Sequence, residues 1–238
     1  MNKQKGFDVF KFILVFFTIV TLTGCVTPIN LQEQSPSPEY QNQQPILISV
    51  IDNRKRVKEG KPETFIGRAH VTFGIPVDWN VDALLATEKD DKSLTLSEWL
   101  QKRIVLGLTD KGWQVKPADL DAVPTETIAS DVLVEQESQH LLVLDLQEWF
   151  FSINLNWVSS FSFDTEVNTY LFDKDQGLSH QANLKERDVV DEKADESPQN
   201  NVLRAYRDQL LQILSDPALK AQIQQSPNVI TTDSGTAL

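Results

Sequence analysis

Residues 141–171 read LLVLDLQEWFFSINLNWVSSFSFDTEVNTYL, and from Trp149 onward the odd positions are almost all apolar: Trp149, Phe151, Ile153, Leu155, Trp157, Phe161, Phe163, Val167 and Leu171. Side chains alternate across a strand, so this period of two predicts β-strands with one buried face. The phase persists through Asn154-Leu155-Asn156, whereas a two-residue hairpin loop would place residues of opposite parity across from each other; a three-residue turn there is expected. Leu141 to Leu146 is apolar at nearly every position and reads as a central strand, interrupted by Asp145. Leu178 to Val190 is more polar and reads as an edge strand, protected by its charges from pairing with other chains.

Outward from this hairpin, Thr95-Leu96-Ser97-Glu98 fits a capping box, in which the Thr hydroxyl and the Glu carboxylate satisfy free amides of a first helical turn. Leu96, Trp99, Leu100, Ile104, Val105 and Leu108 follow at helical spacing and Gly112 ends the run. Ser197-Pro198 starts a second helix with the stripe Val202, Leu203, Tyr206, Leu210, Ile213 and Leu214. Asp216-Pro217 opens a short last helix to about Gln225. Pro45 precedes Ile46-Leu47-Ile48-Ser49-Val50-Ile51, a β-branched run suited to a strand. Further strands are expected around His70-Val71-Thr72-Phe73 and at Trp113-Gln114-Val115, and Ala122 to Ser138 admits a short helix.

The predicted fold class is therefore α+β: a two-layer sandwich whose mixed, mostly antiparallel sheet is covered on one face by an amphipathic helix and a C-terminal helix pair, the other face being largely polar.

The amino terminus carries an address. Lys3, Lys5 and Lys11 precede an apolar run from Phe12 to Leu22, shorter than the roughly 20 residues of a spanning helix, and the run ends in Leu22-Thr23-Gly24-Cys25. This resembles a bacterial lipobox, which predicts removal of residues 1–24 as a signal peptide and lipidation of Cys25 with palmitate-type acyl chains. Two or three chains anchor a protein durably where one does not. Position 26 is Val and not Asp, which in enterobacteria-like sorting permits transfer to the periplasmic face of the outer membrane. Residues 25–44, rich in Gln and Pro, are expected to form a disordered tether spanning on the order of 25 Å. A single domain is expected at 45–225 and a disordered tail at 226–238.

The chain has 22 Lys+Arg against 34 Asp+Glu, a net charge of −12. Losing three lysines and one aspartate with residues 1–24 takes this to −14, which disfavours nucleic acid as a partner. One cysteine leaves no intrachain disulfide and too few thiolates for zinc or iron–sulfur sites, so no cofactor and no metal are expected. No phosphate-binding loop, dinucleotide fingerprint, zinc-protease helix or nucleophile-elbow motif occurs, and His70, His140 and His180 each lack a second ligand at i+2 to i+4. No catalytic residue is assigned, and the chain reads as a non-enzyme. Against the acidic background, Arg54, Lys55, Arg56, Lys58 and Lys61 form a basic loop suited to contact anionic headgroups or a partner. Phe150, whose parity opposes that of Trp149 and Phe151, is a candidate exposed contact.

The order of these elements, with the Asp52-x-Arg54 turn, the helix closing at Gly112, the central hairpin Leu141 to Val167, and Asn201 to Leu214 followed by Asp216 to Gln225, resembles the YajG-type family of small bacterial envelope lipoproteins. Val77 to Lys92 and Val123 to Ser138 depart from that pattern. The resemblance implies a membrane-anchored periplasmic domain and supplies no catalytic residues. A lower-ranked resemblance is to accessory lipoproteins of ABC-type transporters. The resulting expectation is a non-enzymatic binding or envelope-assembly factor with a protein or lipid partner; a hydrolase whose site assembles only in space is the rival.

Overall fold

A computed structural model describes residues 27–70, 74–154, 160–191 and 196–225. Cys25 and its motif, residues 71–73, the expected turn at 155–156 and the tail at 226–238 lie outside them. In chain order the elements are α1 (Leu31–Gln34), β1 (Ile46–Asp52), α2 (Lys55–Lys58), β2 (Phe65–His70), β3 (Pro76–Asn80), α3 (Val81–Leu84), a 3-10 turn (Asp90–Ser93), α4 (Leu96–Asp110), β4 (Val115–Pro117), α5 (Glu126–Glu135), β5 (His140–Asn154), β6 (Ser160–Asp173), β7 (Gly177–Asp191), α6 (Pro198–Leu214) and α7 (Pro217–Ile223).

The α+β class holds, with seven strands in one mixed sheet among the described residues. β5 is its axis. β6 runs antiparallel along it from the His140–Asp173 pair to the Ile153–Phe161 pair, and β7 continues antiparallel beyond β6 as an edge. The other edge of β5 is shared end to end. β1 pairs parallel with residues 140–146, and β2 pairs parallel with residues 151–154. β4 lies parallel outside β1, and β3 antiparallel outside β2.

Odd residues face odd residues at the top of the hairpin, as expected, the last described pair being Ile153–Phe161. At the other end a register shift between Leu146 and Glu148 places one extra residue, Gln147, in β5. Such a bulge reverses the phase of a strand. Leu142, Leu144 and Leu146 therefore share the main core with Trp149, Phe151 and Ile153.

That core lies between the sheet and helices α4 and α6. Trp99 of α4, Trp149 of β5 and Phe163 of β6 converge on Tyr206 of α6, with ring centroids 5.9, 5.6 and 5.1 Å away. Each fully buried side chain of this size contributes about 1.5–3 kcal/mol relative to exposure. α4 begins as predicted: Thr95 Oγ1 accepts from the Glu98 amide at 3.3 Å and Glu98 Oε2 from the Thr95 amide at 2.7 Å.

The second face departs from expectation at one end, where α5 covers it. Ala129 and Leu133 pack with Leu47, Ile51, Leu141, Val143 and Phe172 in a smaller core. Toward β7 that face is polar, crossed by pairs such as Lys185–Glu166 at 2.7 Å. Asp145 belongs to this side, taking hydrogen bonds from Asn53, Gln147 and Asn168 beside the bulge.

Candidate functional site

The segment predicted as a basic contact loop sends one of its five cations inside the fold. It forms the single turn α2, and Arg54, only 1 % exposed, points inward. Its place follows from the shared edge of β5: the pairing with β1 ends at Leu146 and that with β2 begins at Phe151, leaving the β5 residues between them, Trp149 included, without a strand partner on that edge. Buried carbonyls need donors. Arg54 Nη1 donates to Phe65 O at 2.6 Å and Trp149 O at 3.3 Å, Nη2 to Glu63 O at 3.0 Å, and its Nε and Nη2 form a fork on the Asp52 carboxylate at 2.8 and 2.7 Å. Arg54 is thus a clamp across the seam and no surface contact.

Arg56 pairs with Glu148 at 3.0 Å and lies 3.9 Å over the Phe150 ring, whose other neighbour is Phe65. Phe150 does take the opposite face, but at 8 % exposure it offers no apolar patch. Lys61 is bonded to Asp78, and exposed Lys55 approaches Glu59 at 3.6 Å; Lys58 is also exposed.

The expected tether is the larger correction. From Thr27 to Gln44 the chain is a strap laid along α6. Asn200 at the start of α6 accepts from the Ile29 amide at 3.0 Å and donates to Thr27 O at 3.2 Å. Arg204 pairs with Glu33 at 2.9 Å, and Tyr40 donates to Leu214 O at 2.9 Å at the far end. The middle is held by a buried polar group: Gln34 donates to Ile29 O and Thr87 Oγ1 and accepts from Arg103 Nε, while Arg103 pairs with Asp91 at 2.6 Å. Burial would raise the Asp91 carboxyl, but bonds from Lys102 and Arg103 outweigh it and hold the group below its ordinary range. Composition argued against order because little apolar area was available; the strap docks instead through polar side chains whose partners wait on α4 and α6. Gly107 of α4 lets it approach, since a Cβ there would stand 2.1 Å from the Pro36 carbonyl oxygen.

At the opposite end of α6 a groove of about 380 Å³ opens between β7 and the α6–α7 corner. Ala182, Leu184, Ile213 and Pro217 give it apolar walls, and Thr169, His180, Ser215 and Asp216 supply polar groups. His180 Nε2 lies 3.8 Å from Asp216 Oδ1, an oxygen that already caps α7 by accepting from the Leu219 amide at 2.8 Å. Among the described residues the bordering strand β7 pairs on one side only, with β6. The signals in the sequence were slight: an isolated histidine in an edge strand and an Asp-Pro helix start.

A second, more open cleft lies at the carboxyl ends of β1 and β4 and is acidic, but its Asp52 and Glu98 are engaged by Arg54 and by the Thr95 cap. His140 is buried 3.4 Å from Asp173, and burial keeps its imidazole below the usual range although Asp173 pulls the other way. Among the described residues no group of three or more His, Cys, Asp or Glu is arranged to hold a metal, and no helix is long and apolar enough to cross a membrane.

No protein-family model matches the chain, and no curated protein matches it. Several solved structures are similar to it. A DUF330 protein from Xanthomonas campestris has 12 % identity and a TM-score of 0.44, covering 79 % of this chain and 90 % of its own. The PelC dodecamer of Paraburkholderia phytofirmans has 12 % identity and a TM-score of 0.35, covering 76 % and 92 %. The lipoprotein GNA1162 of Neisseria meningitidis has 11 % identity and a TM-score of 0.28, covering 72 % and 99 %. Bacterial lipoproteins thus occur among the similar structures, and none of these three is named as YajG-type. Likenesses this remote assign neither a family nor a role.

Proposed function

We propose that this chain is a lipid-anchored lipoprotein of the bacterial envelope, attached through Cys25 at the periplasmic face of the outer membrane, and that it acts by binding a component of the envelope and not by catalysis. The anchor rests on the Leu22-to-Cys25 motif. The binding role rests on one observation, the apolar-walled groove beside the one-sided strand β7. Concave sites of this size, with a few polar groups set in apolar walls, suit ligand or side-chain capture.

The test is a photoreactive residue at Gln212, which is exposed and lines the groove, compared with one at Lys55 on the far loop, irradiated in intact cells. A discrete adduct from position 212 alone, lost when Ala182→Arg fills the groove, supports the reading; equal adducts from both positions, or none from 212, refute it. Because His180, Ser215 and Asp216 line the same groove, a hydrolase is the second reading. It requires Ser215→Ala to abolish turnover of a chromogenic ester by the purified domain.

A further inference from the structure

The short distance between the anchor and the first docked residue has a mechanical consequence. Cys25 and Thr27 are two residues apart in the sequence, so the acylated residue lies at most about 7 Å of chain from a backbone that Asn200 grips. A disordered tether of the same segment would have let the body wander on the order of 25 Å. Undocking the strap would also take Gln34 away from Arg103 Nε, removing one hydrogen-bond partner of a buried ion pair where Gln34, Arg103 and Asp91 are all at most 1 % exposed.

We infer that the strap converts the lipid anchor into an oriented attachment: the end of the domain formed by Thr27, the loop around Thr87 to Lys89 and the start of α6 faces the bilayer, and the groove faces away from it. This rests on the lipidation of Cys25 proposed above. One further observation supports that end as a single unit. The strap itself connects it to the loop, since Gln34 bonds both Ile29 and Thr87, and Gln199 donates to Leu84 O at 2.8 Å. Arg204, at 2.9 and 3.0 Å from Glu33 and Glu196, offsets only one of those two carboxylates, so it is the short reach from Cys25 and not charge that turns this end to the bilayer. The groove lies at the other end of α6, and seventeen helical residues separate the two ends by about 25 Å. A binding site so placed reaches into the periplasm, while the membrane end stays fixed.

The experiment uses the full-length lipidated protein in vesicles containing nitroxide-headgroup lipid. Acylation blocks the Cys25 thiol, so Lys89→Cys and Gln212→Cys each accept a fluorophore uniquely; Lys89 lies at the membrane end and Gln212 lines the groove, and both are exposed. The expected result is strong quenching at position 89, little at 212, and loss of the difference when roughly 20 Gly/Ser residues are inserted between Val26 and Thr27. Equal quenching at the two positions in the uninserted protein, or a difference that survives the insertion, overturns the inference. The acyl mass on Cys25 is measured in the same preparation. Acylated protein with equal quenching removes the orientation alone, whereas protein without acyl chains removes the anchor reading and the orientation with it.

Discussion

Replacing Arg54 by Met is the sharpest test of how the sheet is held together. As an exposed loop cation Arg54 would contribute little, in the range of about 0–1 kcal/mol. As the clamp it donates to three backbone carbonyls and a carboxylate, and Met fills the space without replacing any donor. The Asp52 carboxylate, 6 % exposed, then loses its counter-charge in a low-dielectric seam. Removing one partner of a buried pair costs about 3–5 kcal/mol. With an m-value of about 3 kcal/mol/M, the urea midpoint of a soluble form beginning at Val26 should fall by about 1–2 M. Lys55→Gln, one residue along and exposed, should leave the stability within about 0.5 kcal/mol of wild type. Adding Asp52→Asn to Arg54→Met should recover part of the loss, because the stranded charge is gone while the bonds to the carbonyls are still missing. Equal midpoints for Arg54→Met and Lys55→Gln would refute the clamp.

Three further outcomes follow from other parts of the fold. Thr95→Ala should cost about 1 kcal/mol through the lost cap bond and Leu100→Ala about 2–5 kcal/mol through a core cavity, both read from urea melts; a wild-type midpoint for Leu100→Ala would mean that α4 does not pack on the sheet. Gly107→Ala, which helix propensity alone would favour by about 1 kcal/mol, should instead destabilise and expose residues 27–44 to limited proteolysis, because the new Cβ displaces the strap at Pro36. A stabilised, still protected variant would contradict this. Burial depresses the His140 pKa in the folded state, so the unfolded chain takes up a proton first as pH falls. Stability should therefore decline from about pH 6.5 downward until the folded pKa is passed, and thermal melts of His140→Asn should lack that slope.

What was legible in the sequence was local or periodic. The capping box at Thr95, the stripes of α4 and α6, the alternation through β5 and β6 and the edge character of β7 all rest on neighbours within a few residues or on a repeated spacing. What escaped depended on distant partners. Arg103 and Gly107 interrupt the apolar stripe of α4, and in retrospect they mark where the strap docks; nothing local says that Gln34, nearly seventy positions earlier, is the partner. Arg54 reads as one cation among five until two strands share one edge of β5 and leave a seam to be filled. β3 escaped because Pro76–Asn80 is short and mostly exposed, and α5 was only faintly signalled because its apolar contacts are few. The groove combines β7 with the α6–α7 corner, and a lone histidine could not announce it.

Membrane anchoring through Cys25 is tested most directly by mass spectrometry of the amino-terminal peptide from protein purified out of its own envelope. Residues 1–24 are expected to be absent, with Cys25 as the first residue and carrying acyl chains. An intact, unlipidated chain that begins before Cys25 would contradict it.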